Sequence, residues 1–314
     1  MKVSGSENTV PVIVITGPTA SGKTEVAIEL AMKIGAEIIS ADSRQIYKNL
    51  TIGTAKPTSE QLNRVSHHFV DILHPSEEFS AGQFSRQARR QINNLRSQNI
   101  NVVVTGGSGM YIESLLDGFF EPEISNKRIQ QQLKDRAQIE GSEVLHTELQ
   151  NVDPERAAEL QLLDSHRIVR SLEIYYETGK KHSEWLKQPR IAADFPFILF
   201  ALNWPRPVLY ERIEKRVDRM LEQGLIAEVE SVLGSGITRD TNSLLTVGYR
   251  EVVQYLDNEL SYDAMVDKIK QHTRNYAKRQ MTWFKRDKRI QWIDCNEKSA
   301  HQIVDEILNA LNIP

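Results

Sequence analysis

The sequence of 314 residues has little of what secreted, membrane-spanning and zinc-binding proteins need. Its one cysteine, Cys295, excludes an intramolecular disulfide and any cysteine-rich zinc site, and we expect a half-buried structural thiol. No apolar run approaches the roughly 18 residues of a membrane span, and the N-terminal MKVSGSENTV lacks the apolar core and cleavage site of a signal peptide. These absences predict a cytoplasmic protein without a membrane partner.

Two signatures of nucleotide-hydrolysing proteins are missing as well. The guanine-specifying pattern Asn-Lys-x-Asp does not occur, because Asn126 and Lys127 are followed by Arg128 and Ile129. The apolar run VVV at 102–104 leads into Thr-Gly-Gly, without the aspartate that holds the metal ion in motor ATPases. A GTPase or a motor ATPase is therefore disfavoured.

The segment GPTASGKT is the most informative feature that the chain does have. It follows the apolar run 12–15 and opens the amphipathic segment 25–34, which is the strand, loop and helix context of a phosphate-binding loop. Lys23 supplies a cation for the terminal phosphate, and the Thr24 hydroxyl is placed to ligate Mg²⁺. A glycine turn that binds nothing is the alternative. The predicted phosphate-binding residues are Gly17, Pro18, Thr19, Ala20, Ser21, Gly22, Lys23 and Thr24.

Alternating strand and helix patterns predict an α/β fold with a parallel sheet covered by helices on both faces. Functional groups of such sheets collect at the carboxyl ends of the strands. The phosphate loop, Asp42 and the turn at 106–108 are therefore expected to meet in one cleft. The predicted strands are 12–16, 36–40, 101–105 and 197–202, and the predicted helices are 24–34, 81–97, 206–222, 224–233, 247–257 and 262–286.

The pattern of apolar and polar residues changes between about Phe119 and Asp194. Strand-like runs disappear there, and polar helical patterns dominate, at 126–140, 154–162 and 166–177. We interpret this segment as a small helical domain inserted into the α/β core. The predicted domains are residues 1–118 with 195–314 as the core, and residues 119–194 as the insertion.

Polar residues near the strand ends are candidates for chemistry. Asp42 could be a general base or the cap of a helical turn, and the local sequence favours neither. Ser108, in the Gly-Gly-Ser-Gly turn at 106–109, could face the cleft with its hydroxyl or belong to an ordinary turn. Three histidines and an aspartate are close together in the chain, but their spacing does not match that of zinc sites. Ordinary loop or packing roles are therefore preferred for His67, His68, Asp71 and His74.

Arginines recur along the predicted helix that follows the last core strand and begins at Arg206. Arg212, Arg216 and Arg219 share one face of this helix and could clamp a diphosphate. The alternative is pairing with acidic neighbours on the same helix, and we expect it of at least one of these arginines. The acidic neighbours are Glu211, Glu214 and Asp218.

The segment 268–289 carries nine basic residues and one acidic residue, although the whole chain has a net charge of −3. A local excess of this size is an electrostatic footprint for a polyanion. Tyr276, Trp283 and Phe284 lie among the charges, and aromatic rings interleaved with cations favour RNA or DNA over a merely solvated helix face.

Eight motifs spread along nearly the whole chain occur together in one known family. They are GPTASGKT at 17–24, ADSRQIYKNLTIGTAKP at 41–57, HHFVDIL at 67–73, GGSGMYIESLLDG at 106–118, HRIVRSLEIYYETGK at 166–180, RIEKRVDRMLEQGLIAEV at 212–229, TVGYREV at 246–252 and YAKRQMTWFKRD at 276–287. By these motifs the sequence resembles the bacterial-type tRNA dimethylallyltransferases, or tRNA isopentenyltransferases. It departs from them in reading GGSGMY for Gly-Gly-Thr-Gly-Leu-Tyr, with Ser108 keeping the hydroxyl. It also has Leu-Asp-Ser-His before Arg167, where an Asn-Pro-Arg-like lead-in is common.

The resemblance implies a phosphate-loop NTPase-like fold and a prenyl transfer. The dimethylallyl group of dimethylallyl diphosphate would go to N6 of the adenosine 3′ of the anticodon, in tRNAs that read codons beginning with U. The loop would hold diphosphate, with Mg²⁺ on Thr24 and Arg212 nearby, and whether it binds nucleotides such as ATP stays open. Asp42 would accept the proton, aided by Lys23, Ser108 and Arg216.

The partner that the resemblance implies is the anticodon stem-loop of tRNA. No protein partner is implied, and a monomer is favoured. The residues assigned to tRNA are Asp42, Ser43, Arg44, Gln45, Ser108, Arg128, His166, Arg167, Arg170, Gly248, Tyr249, Arg250, Arg279 and Trp283.

Two other functional classes stay open from the residues alone. A phosphate-loop small-molecule kinase would use Asp42 to activate a hydroxyl, but it would have no use for the basic segment 268–289. A nucleotide-gated RNA-binding protein would use that segment, but it would have no use for Asp42 beside Lys23.

Overall fold

The computed structural model describes residues 10–119 and 126–313, and the chain forms two compact units. One unit combines residues 1–115 with 193–314, and the other comprises residues 116–192. The first nine residues, on which the expected absence of a signal peptide largely rests, lie outside the described residues. Within the described ranges, no helix is both long enough and apolar enough to cross a membrane.

The first unit is built on a parallel sheet, as the sequence predicts. Its strands are β1 (Val12–Thr16), β2 (Ala36–Ser40), β3 (His67–His68), β4 (Asn101–Gly106), β5 (Phe197–Asn203) and β6 (Gln291–Asp294), in the order β3-β2-β4-β1-β5-β6. β1 lies in the middle, where Val14 pairs with Val104 on one side and Leu199 on the other. All five of its residues are buried, which is why this strand reads as a continuous apolar run.

Four helices follow in the N-terminal part of the chain: α1 (Lys23–Ile34), α2 (Ser59–Arg64), α3 (Ala81–Ser97) and α4 (Gly109–Asp117). The helix α1 begins directly at the end of the phosphate loop and stops at Gly35, which adopts the left-handed conformation. Its apolar face packs on the sheet, where Val26 and Leu30 share a core with Ile13 and Ile15. The loop is therefore fixed at both ends by buried elements.

The second unit contains α5 (Lys127–Glu140), α6 (Ser142–Val152), α7 (Pro154–Ala158), α8 (Ser165–Thr178) and α9 (His182–Leu186). Leucines from three of these helices, Leu133, Leu149 and Leu172, form the centre of a separate hydrophobic core. The predicted helix at 154–162 ends four residues early, and α6 and α9 were not predicted.

The C-terminal part adds α10 (Arg206–Glu222), α11 (Leu225–Gly234), α12 (Tyr249–Leu256), α13 (Tyr262–Phe284) and α14 (Ala300–Ala310). The first four agree with the sequence prediction to within two residues at each end. The helix α14 was not predicted; Ile303 and Ile307 place it in the same core as α1. Cys295 belongs to this core and is fully buried rather than half-buried, and burial raises the pKa of its thiol to about 11.

Candidate active site

A cavity of about 440 Å³ opens at the carboxyl ends of β1, β2 and β4, entirely within the first unit. The predicted meeting in one cleft is confirmed for the phosphate loop, Asp42 and Gly106, whereas the other two residues of the predicted turn, Gly107 and Ser108, do not line the cavity. Two helices form the other walls, α10 with Arg216 and α13 with several side chains. The lining residues with polar or charged side chains are Thr19, Lys23, Thr24, Asp42, Ser43, Arg44, Gln45, Thr54, Thr105, Arg216, Thr246, Arg250, His272, Thr273, Asn275, Tyr276, Arg279 and Gln280.

The phosphate loop has the backbone that its glycines predict. Gly22 adopts a positive φ of 89°, and a Cβ on Gly17 would lie 3.0 Å from Ser21 Oγ and 3.1 Å from the Leu202 carbonyl oxygen. The loop is also held from outside the cavity. Arg212 Nε donates to the Ala20 carbonyl at 2.9 Å, and its guanidinium lies 4.2 Å from the ring centroid of Trp204.

This support gives Arg212 a different place from the one predicted. It is not among the residues that line the cavity, so it braces the loop instead of facing the space where a donor would lie. Trp204 completes the brace, because its indole N–H donates to the Ser21 carbonyl at 2.9 Å.

Lys23, Asp42 and Arg216 form the electrostatic centre of the cavity. Desolvation is the largest influence on Lys23 and lowers the pKa of its ammonium group to about 8, with Asp42 acting against it and Arg216 acting with it. Desolvation also lowers the pKa of Arg216, again opposed by Asp42. Neither cation has an ion-pair partner among residues 10–119 and 126–313, and desolvated cations of this kind favour an anionic ligand beside them.

Asp42 is a cap and a cavity residue at once. Its Oδ1 accepts hydrogen bonds from the amides of Arg44 at 2.9 Å and Gln45 at 3.4 Å, as the capping interpretation expects. No group in the described ranges donates to Oδ2. One carboxylate oxygen is thus fixed by the turn, while the general-base role of Asp42 stays a prediction.

Ser108 ties the ends of two strands together. Its Oγ accepts the Ser43 amide at 2.9 Å and donates to Ser43 Oγ at 3.1 Å. The ends of β2 and β4 approach each other so closely that a Cβ on Gly106 would lie 2.1 Å from the Ala41 carbonyl oxygen. Ser108 does not line the cavity, so the structure gives it a supporting contact, and its predicted roles in catalysis and tRNA binding stay predictions.

The arginines of α10 do not pair as expected. Glu211 pairs with Lys215, Glu214 with Arg274, and Asp218 with Lys270, at 2.5, 2.7 and 2.6 Å. The prediction that one of the three arginines would take an acidic neighbour is therefore wrong for the described residues. Two of these pairs link α10 to α13 and form the seam between the two walls of the cavity.

The basic helix α13 presents different residues to its two sides. Arg279 is exposed at the cavity, whereas Lys270 and Arg274 are engaged with α10. Gln280 is buried and contacts both the phosphate loop and the turn after β4. Trp283 packs on that same turn, where a Cβ on Gly109 would lie 2.3 Å from the indole ring.

The segment 248–250 divides between the cavity and the core. Gly248 and Arg250 line the cavity, but Tyr249 is fully buried and its hydroxyl donates to Glu228. The assignment of the Tyr249 side chain to tRNA is therefore wrong. Glu228 in turn accepts three consecutive amides, from residues 51, 52 and 53, and so holds a wall of the cavity.

A buried carboxylate that the sequence prediction missed orients Arg250. Glu251 accepts from Arg250, from His272 at 2.7 Å and from the Gly248 amide at 2.7 Å. Burial by itself would raise the pKa of Glu251, but these hydrogen bonds hold it below its usual range. The capping-box spacing from residue 248 to 251 was the available signal in the sequence.

The predicted RNA residues of the second unit lie on its helices α5 and α8. Arg128, His166 and Arg167 are exposed. Arg170 pairs with Glu173 at 3.0 Å, and Arg167 lies 3.9 Å from Asp164.

The histidine-rich segment makes separate local contacts. His67 contacts the Val65 carbonyl, His68 contacts Glu37, and His74 contacts Ser76, while Asp71 pairs with Lys56. These are the ordinary loop and packing contacts that the sequence prediction preferred. No metal-ligand cluster is found among the described residues.

Comparison with known proteins decides the family. Residues 45–287 match the sequence profile of a family described as IPP transferase. The chain belongs to the IPP transferase family. The tRNA dimethylallyltransferase 2 of Geotalea uraniireducens is 44% identical over 295 residues, 94% of this chain and 95% of that protein. The tRNA dimethylallyltransferase of Thermotoga petrophila is 40% identical over 296 residues, 94% and 96% of the two chains.

Solved structures of IPP transferase relatives share the fold. The tRNA isopentenylpyrophosphate transferase of Bacillus halodurans superposes with a TM-score of 0.71 at 33% identity, covering 96% of this chain and 97% of that one. A eukaryotic dimethylallyltransferase, described as acting on tRNA, superposes with a TM-score of 0.79 at 26% identity, covering 96% and 80%. The predicted α/β fold is thus confirmed.

Proposed function

We propose that this member of the IPP transferase family transfers the dimethylallyl group from dimethylallyl diphosphate to N6 of an adenosine in tRNA. The products are N6-dimethylallyladenosine and diphosphate. The acceptor is the adenosine 3′ of the anticodon, in tRNAs that read codons beginning with U. The observation that carries this proposal is the cavity itself, which combines a phosphate loop, two desolvated cations and a carboxylate.

The donor is placed with its diphosphate on the phosphate loop. The loop amides and the start of α1 favour an anion, and Lys23 and Arg216 line the space beside it. Breaking the bond between C1 and the bridging oxygen leaves the electron pair on diphosphate. Cations that are already desolvated and fixed stabilise this developing charge more than they stabilise the bound donor.

The residues at the loop fit a magnesium ion. The Thr24 hydroxyl and the Asp42 carboxylate line the cavity with the oxygen ligands that Mg²⁺ takes, and no side-chain hydrogen bond among the described residues engages Thr24. A bound Mg²⁺ supplies further positive charge at the diphosphate. Thr24 is the residue that we assign to it.

The acceptor amine needs a base, because the lone pair of N6 is shared with the purine ring. The new bond joins N6 to C1 of the prenyl group, and the proton lost from N6 passes to the Oδ2 atom of Asp42. The Oδ1 atom stays engaged with the amides of residues 44 and 45, so the carboxylate keeps its orientation while it accepts the proton. The adenine must leave its stack to enter the cavity.

The anticodon stem-loop is held chiefly by charge. Lys278, Arg279, Lys285 and Arg286 are exposed on or just after α13, and their phosphate contacts would position the RNA without reading its sequence. Arg279 stands at the cavity and the other three lie along the same helix or beyond its end. The helices of the second unit would provide further contacts through Arg128, His166 and Arg167.

The test is an incubation of the purified protein with labelled dimethylallyl diphosphate, bulk tRNA and Mg²⁺. We expect label in tRNA and release of diphosphate without any nucleotide. Parallel reactions with ATP as the donor test the kinase alternative, and strict dependence on ATP would exclude the proposed donor. Digestion of the product to nucleosides then locates the modified adenosine.

A further inference from the structure

Gln280 lies where the basic helix α13 meets the phosphate loop. Its side chain is buried, Oε1 accepts the Thr19 amide at 2.8 Å, and Nε2 donates to the Gly107 carbonyl at 2.9 Å. One side chain therefore joins three parts of the site: the loop after β1, the turn after β4, and the helix that carries the basic patch.

The turn after β4 is shaped to receive this side chain. A Cβ on Gly107 would lie 2.4 Å from Gln280 Nε2 and 3.5 Å from Lys23 Nζ, so the glycine makes room for the bridge. One helical turn further along α13, Trp283 packs against Gly109, where a Cβ would likewise collide with the side chain. With two neighbouring contacts of this kind, α13 cannot move relative to the turn without disturbing the hydrogen bonds of Gln280.

The preceding position of the same helical turn faces the proposed RNA. Arg279 precedes Gln280 in the chain, is exposed and lines the cavity. An RNA phosphate bound by Arg279 would thus restrain the helix next to Gln280, whose side chain accepts the Thr19 amide. Phosphate loops bind anions only when their amides converge. The Thr19 amide is donated to Gln280, so this bond fixes the backbone path that leads into the loop instead of contacting the anion itself.

We propose that Gln280 is a positioning residue that couples tRNA binding on α13 to the conformation of the phosphate loop. Each substrate then raises the affinity for the other, because both stabilise the same arrangement of Gln280, Thr19 and Gly107. The coupling is reciprocal, since the free energy of forming the ternary complex does not depend on the order of binding. This inference rests on the proposed function, which supplies the two ligands.

The experiment measures coupling and not turnover. Calorimetry gives the affinity of the full-length protein for inorganic diphosphate with Mg²⁺, alone and in the presence of a saturating anticodon stem-loop RNA. In the unsubstituted protein we expect the RNA to tighten diphosphate binding by about fivefold or more. Gln280→Met keeps the length of the side chain but removes both hydrogen bonds, and we expect the ratio of the two affinities to fall close to one.

Gln271→Met is the matched control, because it makes the same chemical change at an exposed position of the same helix outside the cavity. It should keep the full ratio. Gly107→Ala provides a second route, since its Cβ would displace the Gln280 amide from the other side. It should lower the ratio as Gln280→Met does, even if one of the two variants folds poorly.

The outcomes separate this inference from the proposed function. If the unsubstituted protein binds RNA and diphosphate with no mutual effect, or if Gln280→Met keeps the coupling, Gln280 is not the positioning residue and the proposed function is unaffected. An equal loss in Gln271→Met would overturn the inference as well. Failure of the unsubstituted protein to bind either ligand would instead refute the proposed function, and the inference with it.

Discussion

Two cations in the cavity of the first unit and two arginines of the second unit differ in whether a carboxylate pairs with them. In the first unit, Lys23 and Arg216 line the cavity with no acidic side chain at ion-pair distance among the described residues. In the second unit, Arg136 pairs with Glu148 at 2.7 Å and Arg170 pairs with Glu173 at 3.0 Å. A desolvated cation without a counter-ion is unfavourable, so it marks a place where a ligand brings the opposite charge.

This difference assigns the chemical step to the first unit and limits the second unit to a role in binding tRNA. Cations that already have a partner gain less from an RNA phosphate, because a phosphate must compete with the carboxylate for the same donor groups. Lys23 and Arg216 have no such competitor in the part of the chain that the structure describes. Five experiments test this difference, and they follow in descending order of expected effect.

The largest effect is expected from removing the second unit. Replacing residues 119–192 by a short Gly/Ser linker should abolish tRNA modification and leave diphosphate binding largely intact. The reason is that the second unit has its own hydrophobic core, while the cavity is formed by the first unit alone. Calorimetry and tRNA labelling measure the two properties. Prenylation at a normal rate by the truncated protein would show that the second unit takes no part in gripping RNA.

Asp42→Asn tests the carboxylate that opposes both cations. Asparagine keeps an oxygen for the amides of residues 44 and 45, so the turn should persist, but it removes the base. We expect kcat to fall by about 10²–10⁴, with little change in tRNA affinity. Near-normal single-turnover rates would mean that Asp42 is a cap and nothing more.

Arg216→Ala removes one of the two unpaired cations. We expect kcat/KM for the donor to fall by about 10²–10³, the scale of losing one group that stabilises transition-state charge. Lys215→Ala is the control, because this neighbouring lysine is exposed and paired with Glu211. Equal effects of the two substitutions would contradict the special position of Arg216.

A smaller difference is expected between two arginines assigned to tRNA. Arg279→Ala should weaken tRNA binding and reduce the slope of log affinity against log salt by about one. Arg170→Ala should change that slope less, because its guanidinium is engaged with Glu173. Filter binding at several salt concentrations measures both. Equal changes of slope in the two variants would mean that the pairing of Arg170 with Glu173 does not weaken its contribution.

The mildest test is the pH dependence of donor binding. Since the pKa of Lys23 is lowered to about 8, raising the pH beyond that value removes its charge and should weaken donor binding. The loss should approach but not exceed about tenfold per pH unit, and it should be absent below pH 7. Lys23→Arg would keep the charge and flatten the profile. Affinity that stays constant up to pH 9.5 in the unsubstituted protein would contradict the lowered pKa.

The sequence predicts the framework of the site well, because its signals are local. The glycines of the phosphate loop, the buried run of β1 and the amphipathic pattern of α10 each depend on neighbouring residues only. The carboxyl-end rule for parallel sheets then brings Asp42 and Gly106 to the loop without any knowledge of long-range contacts.

What the sequence does not reveal are partners that are remote in the chain. The pairing of Glu214 with Arg274 and the bond from Thr19 to Gln280 join residues 60 and 261 positions apart, and no periodicity encodes them. The edge strands β3 and β6 are two and four residues long, too short to show alternation. Tyr249 sits in a motif beside cavity residues, and only its packing shows that it is buried.

The hydrogen bonds of the Glu228 carboxylate constrain the order in which parts of the protein can fold during synthesis. The three amides that it accepts lie at residues 51–53, up to 177 positions earlier in the chain. During synthesis these amides must remain hydrated until α11 has been made, because their acceptor does not yet exist. Contacts between such distant residues are slow to form. A nascent chain that ends before α11 thus has the residues of its phosphate loop but lacks both a finished cavity wall and Gln280, which bonds the loop, so anion binding and RNA modification should both await the C-terminal helices.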